Sequence, residues 1–134
     1  MPYWQLYYYL IWTTFERLPL ITAERERLIC RTLHSTAREI GVVVHAMGNV
    51  TDHIHLLVSV PPSLSIADCA KRLKGASSRA VNLQEGERVF RWQESYGALS
   101  IGGRSLPSVA AYVGNQKEHH HQGTLLQIYE VDQA

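Results

Sequence analysis

The chain has 134 residues, 46% of them hydrophobic, which suits one domain spanning 1–134 with a real core and leaves no room for a second. Thirteen Lys and Arg nearly balance twelve Asp and Glu, so the net charge of +1 does not by itself mark a nucleic-acid partner. Two cysteines, Cys30 and Cys69, fall in helical patterns and read as reduced core thiols of a cytoplasmic protein, not as a disulfide framework. Residues 3–12 are apolar and aromatic but lack a basic leader, a cleavage site and the length of a membrane span.

In chain order, residues 3–14 are rich in Tyr, Trp, Ile and Thr and predict a first strand, with Pro19 ending the connection after it. Thr22 is placed to cap a helix with Glu24 and Glu26 in its first turn. Leu28, Ile29, Leu33, Ala37 and Ile40 then recur at helical spacing until Gly41 stops them. Residues 42–50 and 53–60 are β-rich runs separated by Thr51 and Asp52, a hairpin ended by Pro61 and Pro62. Ser65 with Asp68 three residues on resembles a capping box. Ile66, Cys69, Ala70, Leu73, Ala76 and Ala80 supply the apolar stripe of a second helix, weakened by Gly75.

A polar stretch at 82–94 follows, then 96–101 as a fourth strand and Gly102 with Gly103 as a turn. Ser105, Pro107 and the run 109–121 read as a last helix, stopped at Gly123. The order βαββαβ plus a helix predicts an α+β, ferredoxin-like or RRM-like sandwich with a mainly antiparallel sheet. Two helices should cover one face, and the last helix is the element available for the other.

The most informative segment is Asp52-His53-Ile54-His55-Leu56-Leu57-Val58. On a strand, His53 and His55 emerge on one face while Ile54, Leu56, Val58 and Val60 form an apolar face behind them. A strand packing one face on a core has no structural need for two imidazoles on the other, so the spacing points to a metal. On the last helix Tyr112 and Gln116 lie one turn apart, with His120 continuing the line. The residues alone allow two readings: a nucleophile beside a carbonyl ligand, or a packed Tyr and a solvated Gln.

His119, His120 and His121 project about 100° apart and cannot converge on one ion unaided. They read as a polar helix end, with a phosphate contact by His120 as the sharper alternative. Between residues 71 and 104 seven Lys and Arg face three Glu, a surface on which a polyanion could dock. Lys74 and Arg79 are the candidate phosphate contacts. Trp92 and Tyr96 are candidates for stacking on bases, with sealing of the core edge as the other reading of Trp92.

The histidine segment, Leu73-Lys74-Gly75-Ala76-Ser77-Ser78-Arg79, Trp92-Gln93-Glu94-Ser95-Tyr96 and Tyr112-Val113-Gly114-Asn115-Gln116 together resemble the ordered signatures of the single-tyrosine HUH transposases. That family includes the transposases of the smallest insertion sequences and the REP-associated tyrosine transposases. The resemblance spans roughly residues 3 to 121.

It implies cleavage and rejoining of single-stranded DNA at hairpin-containing element ends. Tyr112 would be the nucleophile that forms a 5′-phosphotyrosine, and His53, His55 and Gln116 would be ligands of Mg2+ or Mn2+. It also implies a homodimer, with the choice between cis and trans use of Tyr112 left open. Two imidazoles taken alone would suit zinc or another transition metal, so the ion comes from the resemblance. A phenol with a pKa of about 10 needs help to lose its proton, and no base is identifiable in the sequence.

Rival classes fit less well. A histidine-triad hydrolase needs a third histidine where Leu57 stands, and a two-histidine phosphoesterase needs a second strand motif, whereas His34 and Thr36 sit in the first helix. A replication initiator of the same class would be larger. A non-catalytic single-stranded nucleic-acid-binding module on an RRM-like sheet accounts for the aromatic and basic residues but leaves the histidines idle.

Overall fold

The alternation around the histidine pair sets the architecture. The computed structural model describes residues 4–114. The order is β1 (Tyr7–Thr13), α1 (Ala23–Glu39), β2 (Val43–Asn49), β3 (His53–Ser59), α2 (Ile66–Glu85), β4 (Gly97–Ile101) and α3 (Leu106–Gly114). The sheet runs β2-β3-β1-β4 with every neighbouring pair antiparallel. This is the ferredoxin-like arrangement expected of a βαββαβ chain.

The period-2 pattern of the two central strands divides the interior. Leu10 and Trp12 of β1 with Ile54, Leu56 and Val58 of β3 face α1 and α2, where they meet Ile29, Leu33, Cys69, Leu73 and Val81. Tyr9, Ile11 and Leu57 point the other way and pack against Val109, Tyr112 and Val113 of α3. A helix of nine residues is marginal alone. Burial of a Val- or Leu-sized side chain contributes about 1.5–3 kcal/mol, so these three α3 residues account for its docking on the sheet.

Local chemistry explains the helix ends. Thr22 accepts a hydrogen bond from the Arg25 backbone N–H at 3.3 Å, and Ser65 Oγ accepts one from Asp68 N–H at 3.0 Å. Gly41 closes α1 at φ +77°, a conformation that favours glycine.

Several boundaries differ from the sequence expectation. The first strand begins at Tyr7 instead of residue 3, and the fourth at Gly97 instead of 96. Helix α2 continues to Glu85, into the segment whose polarity marked it as loop, and ends at Gly86 with φ +75°. Asn82 belongs to the helix and organises the loop beyond it: its Oδ1 accepts from the N–H groups of Val89 and Phe90 at 2.9 and 2.8 Å, and its Nδ2 donates to Phe90 O at 3.0 Å. The polar stretch thereby delivers Phe90 and Trp92 to the core. The last helix starts at Leu106, while the part of its expected span at 115–121, with Gln116 and His119–His121, lies outside the described residues, as does 124–134.

Candidate active site

Strand register brings the histidines to the middle of the sheet. His53 stands opposite Thr13 and His55 opposite Ile11 on β1, with Gly48 of β2 on the other side of His55. Gly48 puts no side chain beside that imidazole. Both rings emerge on the face that α3 covers, with centroids 5.1 Å apart, and both are buried, His53 at 4% exposure and His55 at 0%. Tyr112 is on the covering helix, 4% exposed, with its ring centroid 6.2 Å from that of His55 in the same chain. Two imidazoles and a phenol from distant parts of the chain thus share one enclosed space.

Each imidazole is gripped at Nδ1. His53 Nδ1–H donates to Asp52 Oδ1 at 2.6 Å, and His55 Nδ1 is hydrogen-bonded to the hydroxyl of Tyr9, whose ring meets it edge-on at 5.2 Å. In both rings Nε2 is therefore the nitrogen suited to a ligand, the orientation found where an outer-shell acceptor fixes a metal-binding histidine. Burial raises the Asp52 carboxyl pKa, but the His53 hydrogen bond and the charges of His53 and Arg17 outweigh it and leave it below the ordinary 3.8. The Asp52 carboxylate stays ionised near neutral pH.

The turn that supports Asp52 is strained. Glu16 and Arg17 both adopt left-handed backbone, φ 53° and 55°, which costs non-glycine residues roughly 1–2 kcal/mol each. Glu16 N–H donates to Gln93 Oε1 at 3.1 Å, Thr14 N–H donates to Asp52 O at 2.8 Å, and Arg17 Nε reaches Asp52 Oδ2 at 3.4 Å. The Thr14 and Arg17 contacts hold Asp52 against His53, and Arg17 sets an exposed guanidinium beside it.

The described residues contain no group of three or more His, Cys, Asp or Glu that could hold a metal. The donor set fits a divalent ion only as a pair of oriented imidazoles awaiting an oxygen ligand. Gln116, named for that role from the sequence, lies outside the described residues, as does His120.

The expected DNA contacts divide. Arg79 is exposed and Tyr96 half-buried. Trp92 is corrected as a stacking platform: it is 6% exposed, packs edge-on against Trp12 and Phe90, and its Nε1–H donates to buried Ser77 Oγ at 2.9 Å. Ser77 is wholly buried as that acceptor. Lys74 is corrected as a free phosphate contact, because its ammonium donates to the carbonyls of Gln93, Glu94 and Ser95 at 2.5, 2.9 and 3.1 Å, using all three N–H groups. The face that an RRM-like binding module would need open is covered by α3.

Sequence reasoning missed Asp52 and Tyr9 as site residues. Asp52 was in view immediately before the first histidine, and its carboxylate was a usable signal. Tyr9 gave none, since it meets His55 across 46 residues of chain through a strand register that only folding reveals.

Comparison with known proteins places these features in context. Residues 2–116 match the family model described as an IS200-like transposase. The ISDra2 transposase TnpA of Deinococcus radiodurans is 31% identical over 121 residues, covering 86% of each protein. The transposase of insertion sequence element IS200 from Salmonella typhimurium is 24% identical over 131 residues, covering 93% of this chain and 86% of the relative. Among solved structures, a candidate transposase from Deinococcus radiodurans superposes with a TM-score of 0.69 at 27% identity, covering 86% of this chain and 93% of that one. A REP-associated tyrosine transposase bound to a REP hairpin superposes with a TM-score of 0.68, covering 90% of this chain and 72% of that one, and at 11% identity it supports the fold alone.

Proposed function

The chain belongs to the IS200-like transposase family, and from that premise we propose that it cleaves and rejoins single-stranded DNA through a covalent link to Tyr112. The observation that carries this reading is the meeting of His53, His55 and Tyr112 on one enclosed face, with the phenol ring 6.2 Å from an oriented imidazole. Neither a binding module nor a simple scaffold has a use for that combination.

In this scheme Tyr112 Oη attacks the scissile phosphorus. The new O–P bond forms as the bond to the 3′ oxygen breaks, and the phenolic proton is balanced by the one the departing 3′-hydroxyl gains. The 5′-phosphotyrosine retains the phosphodiester, so a second 3′-hydroxyl can attack it, rejoin DNA and return the phenol without ATP. A divalent ion, Mg2+ or Mn2+, held by His53 and His55 with Gln116 as third ligand, would polarise the phosphate and offset charge on its oxygens.

The protein's own contribution is enclosure and aim. Tyr112 and His55 are sealed between α3 and the sheet, so a DNA strand gains access when that helix lifts from the sheet or is exchanged with that of a partner subunit. The proposal includes such a homodimer, although Tyr112 here lies beside the histidines of its own chain. Arg79, Tyr96 and His120 are the proposed DNA contacts. The substrate is proposed to be the hairpin-containing end of a mobile element, which places the work in the cytoplasm. Among the described residues no helix is long and apolar enough to cross a membrane.

The test is incubation of labelled single-stranded hairpin DNA from the flanks of the chain's own gene with protein and Mg2+ or Mn2+. A protein–DNA adduct that survives denaturation, needs the ion and vanishes in Tyr112→Phe is the expected result. Tight binding with no adduct on either flank would favour a non-catalytic role.

A further inference from the structure

We propose that Tyr9 is a positioning residue for His55, accepting the hydrogen bond of its Nδ1–H while Nε2 holds the metal. The inference rests on the metal-and-tyrosine reading above and assigns a role to a second buried phenol in the site. A neutral imidazole carries one proton. When Nε2 gives its lone pair to an ion that proton sits on Nδ1, which in a sealed environment needs an acceptor.

The Tyr9 hydroxyl, 1% exposed as a residue and hydrogen-bonded to Nδ1, is that acceptor. Register makes the contact: Tyr9 lies opposite Leu57 on β3, so it shares a face with His55 and meets it on the diagonal.

The two histidines are held at the same atom by unlike partners. His53 Nδ1 faces a carboxylate whose side chain is 26% exposed and shared with Arg17. His55 Nδ1 faces a neutral phenol closed off from water. Water can replace a lost acceptor at the first position and not at the second, so the Tyr9 hydroxyl matters more than its lack of charge suggests. Removing it should weaken metal binding by about 10–100-fold, the range usual for loss of a partner behind a metal ligand.

Imidazole nitrogen NMR on the full chain with saturating Mg2+ reads the arrangement directly, without a variant. His55 should be protonated at Nδ1 and not at Nε2, with the Nδ1–H protected from exchange. Titration with Mn2+, followed by calorimetry, should show Tyr9→Phe binding about 10–100-fold more weakly than the parent. A metal-loaded parent with His55 unprotonated at Nδ1 would overturn the proposal and leave the metal site standing, as would Tyr9→Phe that binds Mn2+ like the parent. A parent that binds neither ion overturns the metal reading itself, and this inference with it.

Discussion

Asp52 accepts a 2.6 Å hydrogen bond from Nδ1 of His53, its neighbour in sequence, while its other oxygen lies 3.4 Å from Arg17 Nε. A side chain that orients a proposed metal ligand and is itself held from behind by a guanidinium has little freedom to reorient. Asp52→Asn keeps the shape and removes the charge. Because the residue sits in a partly exposed turn, the fold should persist while Mn2+ affinity falls by about 10-fold or more. Calorimetric titration checks this, and unchanged affinity would remove Asp52 from the site.

Ser77 and Trp92 make a structural prediction. Ser77→Ala leaves the buried indole N–H of Trp92 without its acceptor, which costs about 1–3 kcal/mol. Urea unfolding should shift its midpoint down accordingly, while the folded variant retains parental affinity for DNA. Weaker DNA binding with unchanged stability would return Trp92 to the interface.

Lys74 and Arg79 lie on the same helix and should separate by salt dependence. Lys74→Met removes three hydrogen bonds to the 93–95 loop and should lower stability by about 1–3 kcal/mol without changing the salt slope of DNA binding. Arg79→Ala should leave stability within about 0.5 kcal/mol and reduce the slope by about 0.7 for single-stranded DNA. The opposite pattern would reverse the assignment.

Arg25 and Glu85 tie α1 to the end of α2 through two hydrogen bonds, at 2.6 and 2.9 Å. The hydrogen bond from Arg25 holds the Glu85 pKa below its ordinary 4.5. A carboxyl lowered by folding contributes stability that is present above its unfolded pKa and is lost as pH falls through the folded value. Unfolding followed from about pH 6 to about pH 3 should therefore lose less stability in Glu85→Gln than in the parent. Identical acid limbs would show that this pair contributes nothing.

The parts legible in the sequence were those governed by neighbours in the chain. Thr22 and Ser65 announce helix starts, Gly41 announces an end, and alternation from His53 to Val58 assigns faces, because caps and strand period depend on a few adjacent residues. The fold class came from their order. For Trp92, in a polar stretch, the sequence left stacking on bases and sealing of the core edge both open, because nothing local reveals Ser77, 15 residues earlier, as its partner. Lys74 looked like a free cation because the carbonyls that engage it belong to a loop some 20 residues away. Tyr9 was the first strand's third tyrosine until register set it against His55. Contacts of this kind are products of folding, and they revised the site more than the fold.

The most direct test of the central claim is to identify the residue that carries DNA. After reaction with a hairpin-ended single strand and divalent metal, nuclease trimming and peptide mass spectrometry should find a nucleotide on Tyr112 as a phosphotyrosine ester. Nucleotide mass on Tyr9, the other phenol beside His55, would contradict the account, and so would a cleaved strand with no modified peptide.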